Sequence, residues 1–580
     1  MAAQATPSQQ MPSARAPKTG RIARMWREPN AIWMREMRQS SRLGRTPWIL
    51  FGLSLTISLL MCSIGGIAAS DNTSPASLGG ALFQTFFSIA AFVVMIVGPT
   101  VAANSIASER EGRTWEAVLL TGLHPKDIAR GKFIAAYTSI AMHIVVLAPV
   151  GALPFLFGGV TATEVVVAFA FLFVFAALAV AFGLAVSSLM SSLRGAIVLT
   201  LILAICLGPL LYAVFGFWGS FGIHKLWSDV PEGFPVWLPL AYTRAPLGLE
   251  YLLLLVAMPL LLILVPAWFL YEVTVANLTG ETDDRSTGLK RWFFVCTPLV
   301  AIACALPGVV ALDDKDRVAW SVAGETVFAA YAGFCALLFA FDPAGPTRRV
   351  LVHWRRAGAG VFRRFFGPGL AKTASLVVVL GFLALLGIMA IDAAALYLQP
   401  TPPPSTTLGY YSLYTPSRTD RLTQIFVFGA YCAPYFVFTM GLVTYFRSRG
   451  QSPWIARLVT SAVLFLASAA PWVVAAIGGV VTSTHDDTWL VVGAPSPFYA
   501  YVMVSRLDHG PGDDTPIVPV GLAMALLWGF IGLLLLAFAA RRSARTVREQ
   551  SVQWAQTDAA LQAEDDARAA ASVPSSGAPS

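Results

Sequence analysis

Apolar runs of roughly 18 to 26 residues recur along this chain, each long enough to cross a hydrocarbon layer of about 30 Å as a helix. A helix satisfies its own backbone amides in lipid, which an irregular segment cannot do. About twelve such runs are legible: 47–69, 80–105, 133–157, 164–187, 195–216, 249–273, 292–312, 320–341, 373–398, 424–446, 458–481 and 517–540. Apolar residues make up 56% of the 580, and charged residues only 12%. A soluble domain cannot hide that much apolar surface, so the expected fold class is an all-α integral membrane protein.

Lys and Arg fix the expected orientation. With both termini cytosolic, the basic clusters 15–45, 110–132, 348–372, 447–457 and 541 onward all fall on the inner side. That asymmetry favours an even number of spans in the inner (plasma) membrane. The formal charge of +8 is then largely an inner-face signal, suited to anionic lipid headgroups and not to a nucleic-acid partner. Cys62, Cys206, Cys296, Cys304, Cys335 and Cys432 all lie in apolar runs and show no disulfide or zinc spacing, so no metal site is expected.

Residues 1–28 are rich in Ala, Pro, Ser and Gln and read as a disordered cytosolic leader. Over residues 29–46, Arg35, Arg38, Arg42 and Arg45 fall on one helical side, with Trp33 and Met37 roughly opposite and Glu36 between them. This predicts an amphipathic helix in the inner interface. Residues 47–273 hold six spans. Residues 274–540 hold six more and a comparable aromatic, Pro-broken outer stretch before the last, which raises a diverged duplication as one reading. Residues 541–580 read as a cytosolic tail that begins basic and helix-prone and ends in a disordered Ala-, Ser- and Pro-rich stretch.

The segment between the second and third spans is charged and helix-prone. Thr114 is placed to cap a short helix from Trp115 to Leu120, Glu116 suits its N-terminal end, and Gly122 can end it in a left-handed turn. Pro125 opens a second helix leading through Ile128, Gly131 and Lys132 into the third span. Trp115, Val118, Leu119 and Leu123 form its apolar side. Glu109, Arg110, Glu111, Lys126 and Arg130 form its polar one.

The run Glu109-Arg110-Glu111-Gly112-Arg113-Thr114-Trp115-Glu116, then Leu119-Leu120-Thr121, then Pro125, Ile128, Gly131 and Lys132, resembles a signature of the permease subunits of type-2 ABC transporters, mostly exporters. Asn30 to Arg38 resembles the start of the same permeases, with Ala31 and Arg35 where Pro and Lys are usual. The resemblance covers residues 29 to about 273 and is topological beyond. Gly122 stands where the family has proline, and Arg113 splits its glycine–threonine pair. The resemblance implies a coupling helix seated in a separate ATP-binding subunit, with ATP and Mg held by that partner. It also implies a second permease half, either another copy of this chain or its own second half. No G-x-x-x-x-G-K-[ST] occurs, so this chain is expected to bind no cofactor and to hydrolyse no ATP.

Helix position points to Phe83, Phe87, Met95, Leu203 and Phe215 as a substrate path, with His143 mid-span beside it. Asp392 and Glu325 read as interfacial groups near outer span ends, within reach of solvent or headgroups. A twelve-span secondary transporter, a membrane-embedded enzyme and a non-transporting scaffold stand as alternatives. The first would need midplane charge pairs, and the second acidic or histidine clusters at a membrane face.

Overall fold

The computed structural model describes residues 30–41, 45–70, 74–212, 219–230, 237–311, 313–358, 360–398, 416–482, 488–509 and 516–571. Among them there are helices and no strand. Ten helices are long and apolar enough to cross a membrane, and two shorter apolar stretches, Ser54–Ile67 and Leu193–Pro209, fall at the remaining expected spans. The chain is therefore an all-α, multi-pass membrane protein.

The first half begins with α1 (Ala31–Ser41) and α2 (Arg45–Ser70). There follow α3 (Pro75–Glu111), α4 (Trp115–Leu120), α5 (Pro125–Gly151), α6 (Ala162–Leu189), α7 (Leu193–Tyr212) and α8 (Leu249–Leu278), the last with a π turn at Leu252–Ala257. Local chemistry sets several of the starts. Ser74 accepts from the Ser77 amide ahead of Pro75. Thr161 and Glu164 form a reciprocal capping box at α6.

Central in this half is α6, which packs on α3, α5 and α8. Small residues permit the approach of α3. A Cβ on Gly98 would lie 2.8 Å from the Ala179 Cβ, and one on Gly183 would strike the Pro99 carbonyl. The core around this contact is aromatic, with Phe83, Phe86 and Phe87 fully buried.

The second half comprises α9 (Thr287–Val310), α10 (Asp314–Leu338), α11 (Arg348–Arg356), α12 (Val361–Phe365), α13 (Leu370–Leu398), α14 (Arg418–Ser448), α15 (Pro453–Thr482) and α16 (Ile517–Ala571). Its order recurs from the first: two spans, short helices at the face that carries Lys132, three spans, short helices at the opposite face (Thr488–Val492 and Tyr499–His509), and a last span. Here α14 is central, against α10, α13 and α16. Gly441 and Gly532 bring α14 and α16 to backbone contact. The halves meet where Val265 and Phe269 of α8 pack on Trp292 of α9, whose indole N–H donates to the Val265 carbonyl at 3.0 Å.

Two features of the second half bear on the sequence reading. The tail after residue 541, expected to begin helix-prone, does so as a continuation of α16, a helix of 55 residues and about 80 Å. Asp392 and Glu325 are not reachable from solvent: both are fully buried between helices. Burial of this kind depends on which helix faces cover them, which span position alone does not reveal. Arg42, Phe215, the leader before Asn30 and the Pro-rich loop 399–415 lie outside the described residues.

Candidate functional site

The segment between α3 and α5 is built on a buried lysine. Lys132, in the second turn of α5, is fully buried, and its Nζ donates to the Ser105 carbonyl of α3 at 2.8 Å. It pairs with Glu109 at 3.1 Å and with Glu36 of α1 at 3.2 Å. Arg35 closes the network by pairing with Glu109 and, at 3.1 Å, with Glu36. Burial lowers the Arg35 pKa, but the charges and hydrogen bonds of Glu109 and Glu36 outweigh it, and the net shift is upward. Three separated stretches of sequence thus share one alternating set of charges.

A second tie holds α1 in place. The Asn30 side chain accepts from the Ile32 amide at 2.9 Å, capping α1, and donates to the Asp127 carbonyl at 2.8 Å. Gly131 faces it: a Cβ there would overlap the Asn30 side chain and lie 2.8 Å from the Ile32 Cβ. Trp33 and Met37 are half-buried, Ile32 is buried and Arg38 is exposed. The α1 helix packs on α5.

Arg110 and Glu111 reach the other way. Arg110 donates to the Ser188 carbonyl at 2.8 Å and the Met190 carbonyl at 3.2 Å, at the end of α6, while its guanidinium lies 5.7 Å from the Trp115 ring centre. Glu111 accepts from the Leu193 amide at 2.7 Å and so caps α7. One turn earlier, Ser187 of α6 sits between the Ala103 carbonyl and the Ala107 amide of α3, bonding to both. The ends of α3, α6 and α7 are therefore clasped at one vertex.

From that vertex hangs α4. Gly112 and Arg113 make the turn, and Arg113, not a glycine, takes the positive φ of +54°. The Thr114 hydroxyl, ahead of α4, donates to the Glu109 carbonyl at 3.3 Å and holds the turn closed. Gly122 has φ +69°, the left-handed conformation expected after the helix. His124 and Pro125 then open α5, with Ile128 fully buried beneath.

The two sides of α4 differ. Val118 is buried and Trp115 half-buried, while of Leu119 only the helical backbone is described. Glu116 is exposed, Leu120 is 87% exposed and Leu123 is 38% exposed. Leu120, a coupling residue that the sequence reading leaves off the apolar side, is exposed, whereas Leu123, assigned to that side, is partly open. The position of Leu120 after Trp115 and Val118 places it beyond their arc.

The substrate-path residues that the structure describes lie on α3, α5 and α7. Phe83 and Phe87 belong to the packed aromatic core of the first half, 4.8 Å apart by ring centres, with Phe169 5.1 Å from Phe87. Met95 and Leu203 are half-buried on α3 and α7. The His143 ring nitrogen Nδ1 is satisfied by the Ser139 carbonyl of its own helix at 2.6 Å. Among the described residues no group of three or more His, Cys, Asp or Glu side chains could hold a metal ion.

Residues 66–269 match the family model for the ABC-2 family transporter protein, a span that includes α3 to α7 and most of α8. No curated protein matches the chain.

Proposed function

We propose that this chain, an ABC-2-type permease of an ABC transporter over residues 66–269, is the membrane subunit of an exporter driven by a separate ATP-binding subunit that docks on α4. The observation that carries the reading is the pairing of an exposed patch with a rigid mount. Glu116 and Leu120 are exposed on a helix too short to be stable alone, and Leu123 is exposed in the link that follows it. That helix is held by the Lys132 network and the Arg110–Glu111 ties. An exposed leucine beside charges on a fixed helix suits a protein cleft.

In this reading ATP and Mg are bound by the partner, and both termini and α4 lie in the cytosol at the inner (plasma) membrane. Closure of the ATPase pushes α4, and the clasped vertex passes the displacement to α3, α6 and α7 as packed rigid bodies. Substrate moves along the faces of α3 and α7, where Met95 and Leu203 are only partly covered. A complete transporter takes two copies of this chain. The halves meet through α8 and α9, leaving Val198, Ile202 and Ile205 of α7 exposed, and the acidic docking segment occurs once. The recurring packing order supports residues 274–540 as a diverged repeat.

The test is copurification of the tagged full chain with an ATP-binding-cassette ATPase from its native membrane. Leu120→Asp combined with Glu116→Lys is expected to weaken the complex at least about tenfold, equivalent to about 1.4 kcal/mol. Elution and thermal stability of the permease itself should stay unchanged. A complex that survives disruptive changes at Arg113, Glu116, Leu120 and Leu123 together would sink the proposal.

A further inference from the structure

The second half carries a buried polar file that the transport reading does not use. Arg317, Ser321 and Glu325 are spaced four residues apart on α10 and so share one face. All three are buried. The file starts at the membrane face opposite Lys132. There Arg317 donates to the Asp314 carboxylate at 2.7 Å and to the Ala311 carbonyl at 2.8 Å. One turn deeper, Ser321 donates to Asp392 of α13 at 2.7 Å. Glu325 lies a further turn in, about 16 Å along the helix from Asp314 and so near the middle of a layer about 30 Å thick.

The end of this file is unsatisfied. Both carboxyl oxygens of Glu325, and Oδ1 of Asp392, are buried without a hydrogen-bond partner among the described residues. Glycines on the neighbouring helices leave the room. A Cβ on Gly308 of α9 would lie 2.7 Å from Asp392 Oδ1, and one on Gly429 of α14 would lie 3.1 Å from Glu325 Oε2. The other titratable groups facing the pair are Cys304 of α9 and Cys432 of α14, both thiols. Among the described residues the cation on this face of α10, Arg317, is engaged with Asp314 at the mouth. An ionised carboxylate at such depth with no donor is strongly disfavoured, and a second one nearby disfavours it further.

We infer that Glu325, Asp392 and Ser321 form a proton-binding site inside the second membrane region, loaded from the face at which α10 begins. The bound species is a proton, carried by Glu325 as the neutral acid, while the Ser321 hydroxyl holds Asp392. The inference stands apart from the ATPase dock, and failure of either leaves the other intact.

The experiment uses the full chain in lipid. Infrared spectroscopy reads the carbonyl stretch of protonated carboxyl groups, and a hydrophobic carbodiimide, which takes the proton of such a group and is then attacked by its oxygen, reads their position by mass spectrometry. At neutral pH a protonated-carboxyl band is expected that Glu325→Gln removes. The carbodiimide is expected to label Glu325 and to fade severalfold as the pH is raised. The labelled site is located on the unsubstituted chain, so the result holds even if the glutamine variant fails to fold. A spectrum lacking that band, or one whose band survives Glu325→Gln in a folded protein, overturns the inference. So does suppression of labelling by Na⁺ or K⁺ at constant pH, which would make the occupant an alkali cation.

Discussion

Lys132 and Lys290 are both fully buried at the same face of the molecule, and their surroundings differ in one respect. Lys132 shares Glu36 and Glu109, which remain partly exposed, and through Arg35 its network opens to the surface beside α4. Lys290 of α9 meets Asp342, equally buried, at 2.7 Å, and donates to the Gly367 carbonyl at 2.7 Å. Thr373 also donates to Asp342, and Arg447 donates to the Asp342 carbonyl at 3.2 Å. The first corner is a network that solvent and a partner can reach; the second is a sealed joint between spans. The acid follows the second span of its half in both cases. Only the open one continues into a short helix with an outward apolar group and an acid. In the second half that place is taken by α11 and α12, rich in arginine, and Arg348 there pairs with Asp558 of the helical tail.

The contrast can be broken by substitution. Lys290→Met leaves Asp342 buried without its cation and is expected to cost about 3–5 kcal/mol, read as a large fall in the thermal midpoint of the purified chain. Adding Asp342→Asn should recover most of that loss. Lys132→Met leaves Arg35 to serve both glutamates, which water also reaches, so about 1–2 kcal/mol is expected. Hydrogen exchange in α1 and the start of α5 should then speed up by roughly 5- to 30-fold. Equal losses from the two lysine substitutions would erase the distinction between an open and a sealed corner. The smallest effect is a gain: Arg113→Gly relieves the positive φ and should stabilise the turn by about 1 kcal/mol, seen as slower exchange at Thr114 and Trp115.

Much of the architecture was legible because a bilayer imposes length and polarity on every span. The placement of α4 was legible for a local reason too, since Gly122 and Pro125 punctuate the chain whatever surrounds them. Side-chain roles were less so. Glu111 reads as a surface acid, yet it caps α7 more than eighty residues away, a contact created by the packing of α3 on α7. Lys132 reads as a basic flank, but two acids from other elements allow it to be buried. Glu325 and Asp392 read as interfacial by their place along the spans. Their burial follows from glycines at 308 and 429, distant in sequence, that let α9 and α14 close over them.

The tight crossing of α3 and α6 has a kinematic consequence. Gly98, Pro99, Ala179 and Gly183 bring the two helices into close contact, and such a contact can serve as a fulcrum for α3. From Pro99 to Glu111 the rod measures about 18 Å, and from Pro75 to Pro99 about 36 Å. A rigid rod pivoting there has a mechanical advantage of roughly one to two. A small stroke at the α4 end would become twice the travel at the far mouth, at half the force.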